Sequence, residues 1–246
     1  MLQLVGVIYR FADTIVGNSL AVASDLALSL RIPANKIVTI YNPLDIDRIT
    51  QASCAPIDHP WAATGALPIV LSVGSLAVLK DFPTLLRAFR FVRSKRECRL
   101  VILGEGADRA KLERLIHGLG LERDVFLPGF VSNPFAWMRH AKVFVSSSLT
   151  EGCPNALMQA LVCGTPVVST DCLGGSAEIL EGGKWGRLVP VRNPEAMAHA
   201  ILATLDATSH PDVRRRAADF ALTRIAREFL GSLLTNDLLH GSETQL

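Results

Sequence analysis

Aromatic side chains are scarce, 6% of 246 residues, too few to furnish the stacked rings of a single-strand-binding platform. Charge imbalance is also missing. A formal net charge of +2 gives no global field for nucleic acid or a strongly acidic partner. No apolar run approaches the ~20 residues that cross a bilayer. The opening MLQLVGVIYRF has no basic segment before its apolar run, which Arg10 interrupts, so neither a leader nor a span is expected there. Five cysteines (Cys54, Cys98, Cys153, Cys163, Cys172) form an odd set without Cys-x-x-Cys spacing. They read as reduced thiols of a cytoplasmic chain, not as a disulfide framework or a zinc site. The six histidines show no metal-binding spacing, and no metal is expected. A P-loop and a G-x-S-x-G elbow are both absent, which removes two phosphate-transfer and hydrolase chemistries from consideration.

What is present is alternation. β-branched runs at 68–73, 99–103, 125–128, 142–148, 166–170 and 187–191 are separated by helical patterns at 81–94, 108–120, 155–163 and 193–205. Apolar strands alternating with helices predict a parallel sheet covered on both faces. Gly164 reads as a helix C-cap, and Asn193–Pro194 as an N-cap followed by proline in the first turn. Residues 1–45 form a smaller unit, with strands at 12–19 and 36–43 around a helix at 20–31, burying too little to fold alone. The Pro-, Ala- and Asp-rich stretch 46–66 reads as a linker, 67–222 as the main domain, and 223–246 as a last helix and tail whose closing GSETQL is expected to fray.

Candidate site residues lie where strands end. Open parallel sheets bind ligands outside the carboxyl ends of their strands. Glu151 follows the run KVFVSSS, and the helix after it has no acidic residue in its first turn. Such a bare helix start is a place for a phosphate or diphosphate. A carboxylate beside it is suited to sugar hydroxyls, although the same acid also fits a simple cap. Lys80 stands after the first strand of the main domain and before a helix, either as a point charge for phosphate or as a solvated side chain. LGEGADR (103–109) permits a close backbone approach but is not the dinucleotide fingerprint. The basic face Arg87, Arg90, Arg93, Lys95 and Arg96 could meet anionic lipid, or simply water.

These segments also carry a resemblance. IVTIYNPLD, VGSLAVLKDFPTLLRAF, RLVILGEGADRAKLERL, VFLPGFVSNPFAWM, EGCPNALMQALVCGTPVVSTDC, GGSAEIL and GRLVPVRNPEAMA occur in that order. Together they resemble the carboxy-terminal half of a retaining glycosyltransferase of family 4, with the GT-B fold of two facing Rossmann-like domains. The fold implied is α/β, a Rossmann-like parallel sheet domain preceded by a remnant of an amino-terminal domain. The resemblance implies that the chain binds a nucleotide-sugar, with Lys80 at its diphosphate and Glu151 on the hydroxyls of the transferred sugar. Gly74, Ser75 and Gly152 would border the site, and the backbone of Asn155, Ala156 and Leu157 would face the pyrophosphate. Gly104, Gly106, Gly129 and Phe130 would lie near base and ribose. The sequence departs from the family pattern at two positions. Its Arg-x4-Lys pair reads Ser75-x4-Lys80, and the second acid of E-x7-E is Gln159. A hydroxyl in place of a bidentate cation forfeits ~1–3 kcal/mol, and an amide in place of a carboxylate on the order of 1–2 kcal/mol.

The activity implied is transfer of a hexose or N-acetylhexosamine, with retention, to a polysaccharide or lipid-linked acceptor. DCLGGSAEIL leans toward a UDP-linked donor. The resemblance also implies a nucleotide-sugar substrate without a cofactor, a separate partner supplying the acceptor domain, no nucleic acid, and at most peripheral contact at the inner membrane face. Two other readings stand beside it, a non-catalytic nucleotide-sugar module and an epimerase on the same fold.

Overall fold

The computed structural model describes residues 8, 9 and 11–240, with side chains described as far as residue 232. The run MLQLVGV and the closing GSETQL, with the fraying expected of the latter, lie outside the described residues. The small amino-terminal unit consists of β1 (Ile15–Gly17), α1 (Leu20–Ser29) and β2 (Ile37–Thr39), with β1 and β2 paired in parallel, Ile15 opposite Ile37. These elements are shorter than expected because Ser19 ends the first strand as the helix N-cap, its Oγ accepting the Val22 N–H at 3.1 Å.

The expected linker is not featureless. Asp45 caps α2 (Ile46–Ser53) by accepting the Arg48 N–H, and the helix buries Ile49 and Ser53. Two turns are too short to show a period in the sequence. Farther along, the His59 ring stacks on Phe126 at 4.5 Å, and the Arg99 guanidinium lies 5.0 Å over Trp61, so the segment is docked against the main domain.

The main domain runs β3 (Ile69–Val73), α3 (Phe82–Lys95), β4 (Arg99–Leu103), α4 (Arg109–Leu119), β5 (Val125–Gly129), α5 (Pro134–His140), β6 (Val143–Ser146), β7 (Thr150–Glu151), α6 (Asn155–Cys163), β8 (Val167–Thr170), β9 (Leu173–Gly174), α7 (Ser176–Ile179), β10 (Arg187–Val189) and α8 (Pro194–Leu205). Gly164 closes α6 in the left-handed region, and Asn193 caps α8 through the Ala196 N–H, both as the sequence indicates. The helix α5 escaped the sequence reading. It is one of the short elements, started by Asn133 capping and Pro134.

Six strands form one wholly parallel sheet in the order β10-β8-β6-β3-β4-β5. Side-chain alternation along the strands divides the core into two layers. Leu71, Val101, Leu103 and Phe144 pack with Met158 and Leu161 of α6 on one face. Val70, Leu100, Ile102 and Val145 pack with Phe89 of α3 and Ile201 of α8 on the other. The sheet reverses its direction of growth at β3, which lies between β6 and β4, so a crevice opens beyond the carboxyl ends of β3 and β6.

The chain then crosses back. After α9 (Arg214–Ala217), the Leu44 N–H donates to Phe220 O and the Leu222 N–H to Leu44 O, leading into α10 (Leu222–His240). Among the described residues no helix is long and apolar enough to cross a membrane.

The loops that end β3, β4 and β5 are laced by backbone. The Gly74 N–H donates to Leu103 O, Leu76 N–H to Glu105 O and Gly104 N–H to Gly129 O. A Cβ on Gly104, at φ +141°, would stand 1.9 Å from Gly74 O, so only glycine lets the two loops approach. Gly104→Ala is expected to lower the free energy of unfolding by at least about 3 kcal/mol in urea titration, strain and displaced hydrogen bonds acting together.

Candidate functional site

At the crevice lies a cavity of about 320 Å³, walled by the loops after β3 and β6 and by the start of α6. Its lining includes Gly74, Ser75, Lys80, Glu151, Asn155, Ala156, Leu157 and Gln159. The structure therefore brings together residues separated by some eighty positions. Gly152 stands just behind, where a Cβ would come within 3.2 Å of Asn18 Oδ1. Gly104, Gly106, Gly129 and Phe130 are not in this cavity. Gly104 and Gly106 lie against the backbone of Gly74 and Leu76, and Gly129 lies beneath the Glu105–Arg109 pair. The Phe130 ring is largely exposed.

Each polar side chain has a reason for its position. Lys80 ends a single turn, Val78–Lys80, after which Asp81 takes a left-handed backbone conformation (φ +43°) and binds the Thr84 hydroxyl, opening α3. The Ser147 hydroxyl donates to Lys80 O at 2.6 Å and the Leu149 N–H to Leu79 O at 2.8 Å, which pins the β3 loop to the β6 loop. Glu151 is fixed through β7, paired with β9 in parallel. A Cβ at Gly174, φ +126°, would fall 1.4 Å from Glu151 O, so a side chain there would drive the acid out of place.

The two charges meet. Lys80 Nζ lies 2.5 Å from Glu151 Oε1, which also accepts the Ser148 hydroxyl at 2.6 Å. The side chains are 28% and 14% exposed, so the pair is more shielded than the surface bridges that contribute almost nothing. Lys80 and Glu151 are the charged residues of the pocket lining, and they neutralise each other. Alongside them α6 starts with Pro154 in the N-cap place, no side-chain cap and no acid in its first turn. Among the described residues, only the fourth N–H, that of Met158, finds a partner at the turn, Pro154 O. The donors of Asn155, Ala156 and Leu157 and the positive end of the helix dipole border the cavity.

Several alternatives are set aside by geometry. Cys153 lines the pocket, but burial pushes its thiol up from the ordinary value and its sulfur sits 3.4 Å from Met158 Sδ, the opposite of an activated thiolate. Asp45-Ile46-Asp47, an Asp-x-Asp sequence, opens α2 with Asp45 as cap, outside this cavity. Among the described residues no group of three or more His, Cys, Asp or Glu could hold a metal ion. A larger cavity, about 530 Å³, lies at the amino ends of the strands beside Pro68, Lys142 and Pro166, the end where open α/β sheets do not place their ligands.

Three participants were not legible in the sequence. Ser148 orients Glu151. The Asn42 amide donates to Asn155 Oδ1 at 2.9 Å, and Glu178 accepts the Tyr41 hydroxyl at 3.0 Å. Burial first, and the Glu178 carboxylate second, push the Tyr41 phenol up to about 12. A phenol raised above its unfolded value of about 10 contributes stability that is complete below that pH and lost as pH rises toward the folded value. Urea titrations should therefore show stability declining from about pH 10 to about pH 12, with a shallower decline in Glu178→Gln.

Comparison with known proteins fits this geometry. The family model described as Glycosyl transferases group 1 matches residues 67–207. A Campylobacter jejuni protein, the N-acetylgalactosamine-N,N'-diacetylbacillosaminyl-diphospho-undecaprenol 4-alpha-N-acetylgalactosaminyltransferase, is 34% identical over 238 residues, 94% of this chain and 62% of that protein. The lipopolysaccharide core biosynthesis glycosyltransferase LpsE of Rhizobium meliloti is 31% identical over 196 residues, 78% of this chain and 54% of that protein. The chain thus spans about three-fifths of the length of the first of these relatives. In fold it is similar to Anabaena Alr3699/HepE in complex with UDP, with a TM-score of 0.85 at 20% identity over 95% of this chain and 67% of that one. It is similar too to the sucrose-phosphate synthase of Thermosynechococcus elongatus, with a TM-score of 0.82 at 23% identity over 98% of this chain and 62% of that one. The six-stranded parallel sheet, with its crevice at the switch point, is thus of the GT-B type. With the family model covering more than half of its residues, the chain belongs to the group 1 glycosyl transferases.

Proposed function

We propose that the pocket binds a nucleotide-sugar, UDP-linked, and that the chain is the donor-binding part of a retaining glycosyltransferase of family 4. The observation that carries this reading is the uncapped start of α6 facing the Lys80–Glu151 pair. A diphosphate supplies the negative charge that the helix start lacks. As it enters, Lys80 turns from the carboxylate to the phosphates, and Glu151 is released to accept hydroxyls of the sugar. Ser148 keeps the acid oriented during the exchange.

The chemistry follows from charge. When the bond between the anomeric carbon and the β-phosphate oxygen breaks, its electron pair stays on the diphosphate. Lys80 and the N–H groups of Asn155, Ala156 and Leu157 stabilise that charge where it develops. The acceptor oxygen bonds to the same face of the anomeric carbon, and its proton leaves with the phosphate. No metal is needed to hold the leaving group. The UDP reading is supported by the UDP of the HepE structure, and a lipid-linked or polysaccharide acceptor by the names of the Campylobacter and Rhizobium relatives. The proposed donor sugar is a hexose or N-acetylhexosamine.

Ser75 and Gln159 favour a second reading, a nucleotide-sugar module that binds without turning over. Both line the pocket in place of charged residues of the family pattern. Calorimetric titration with UDP, GDP and ADP and their sugar derivatives tests both readings. Saturable UDP binding is expected, weakened at least about tenfold in Lys80→Ala, with the preference for sugar-bearing over free UDP lost in Glu151→Ala. Restoring the pattern with Ser75→Arg and Gln159→Glu should tighten UDP binding. No saturable binding at millimolar nucleotide would overturn the donor reading, and binding without turnover of any acceptor would select the module.

A further inference from the structure

The start of α1 carries a second concentration of contacts, outside the pocket yet connected to it. The first four N–H groups of that helix are all accounted for. Ser19 takes the Val22 N–H through its hydroxyl and the Ala23 N–H through its carbonyl. The Leu20 and Ala21 N–H groups donate to the two carboxylate oxygens of Glu178, each at 2.8 Å. α1 has no acidic residue of its own in the first turn. The negative charge that a helix start favours comes instead from the far unit, 157 positions along the chain.

Glu178 holds more than the helix. Its Oε2 also accepts the Tyr41 hydroxyl, and Tyr41 lies edge-on to Phe220, 5.6 Å between ring centres. Arg216 covers Phe220 at 4.7 Å and donates to Glu178 O and Ile179 O. One carboxylate therefore joins α1 to Tyr41 of the segment that crosses between the units, and the Tyr41 ring in turn meets Phe220 of the returning carboxy-terminal segment. α1 buries none of its residues, so apolar packing does little to hold it. Next to Tyr41, Asn42 reaches Asn155, the first residue of the pocket helix.

We propose that Glu178 is a positioning residue that latches the amino-terminal unit onto the donor domain and thereby seats Asn42 against the helix start of the pocket. The inference rests on the donor reading for its consequence, and on geometry alone for the latch. Glutamine in its place offers one acceptor and turns an N–H toward a helix end that already presents N–H groups, so the substitution opens the junction without removing bulk.

Amide hydrogen exchange and UDP titration of the full chain test it together. In Glu178→Gln, exchange at Leu20 and Ala21 and across 15–42 should accelerate at least about tenfold, with the strands β3, β4 and β6 unchanged. Tyr41→Phe should give a smaller rise in the same segment. UDP affinity should fall about five- to tenfold in Glu178→Gln. Asn42→Ala should reproduce that fall without touching exchange at Leu20 and Ala21, and the double variant should be no worse than either single one. The latch is overturned if exchange over 15–42 is unchanged in Glu178→Gln, or if it rises equally in the six-stranded sheet, which would mark a general loss of stability. Its action on the pocket is overturned if Glu178→Gln binds UDP as the parent does, or if the two substitutions add. Failure of the parent itself to bind UDP would overturn the donor reading instead, and the exchange measurements would still decide the latch.

Discussion

The Lys80–Glu151 pair joins two loops that the sheet brings side by side, adding a charged link to the backbone bond from Leu149 to Leu79. Each charge is partly withdrawn from water, and a charge left unpaired in such a place is costly. The two satisfy each other, so the charged lining of the site is electrically neutral. Much of the local structure serves to keep them in register. Ser147 and Leu149 bind the backbone of the β3 loop, and Ser148 holds the carboxylate. The β7–β9 ladder fixes the residue that bears it. On the proposed donor reading, a neutral pair would accept a diphosphate without net desolvation of a bare charge, because Lys80 would exchange one anionic partner for another while the helix start would supply the remaining donors.

Close approach of backbone is the second constraint. At Gly104 and Gly174 the left-handed or extended-positive φ values coincide with contacts that leave no room for a Cβ. The first locks the loops of β3 and β4 together, and the second sets the height of Glu151. Glycines 104 and 106, read in the sequence as a place where a nucleotide could approach the backbone, are approached by the protein's own chain at residues 74 and 76. Their effect on the pocket is through the loop that carries Ser75 and Lys80.

Much of this was legible beforehand, for definite reasons. The six strands announce themselves because a parallel sheet buried on both faces needs continuous β-branched runs, as in PIVLSV and KVFVSSS. The helices α6 and α8 were marked by Gly164 and by Asn193–Pro194. Residues 46–53 and 134–140 were missed because a helix of two turns shows no period, and only its cap betrays it. Lys80 and Glu151 could be singled out as strand-end charges, and the resemblance gave them roles. Ser148, Asn42 and Glu178 could not, since their importance lies in partners distant along the chain. Glu178 in particular reads locally as one more acid in a short helix, and its two principal bonds are to amides near residue 20.

The central claim is that Lys80 and Glu151 part when the donor binds, one to the diphosphate and one to the sugar. A crystal structure of the chain with UDP-N-acetylglucosamine or UDP-glucose bound would test it most directly. The account predicts Lys80 Nζ within hydrogen-bonding distance of a phosphate oxygen, the N–H groups at the start of α6 on the diphosphate, and Glu151 on hydroxyls of the sugar. A bound nucleotide that leaves the Lys80–Glu151 pair intact, or that lies elsewhere in the molecule, would contradict it.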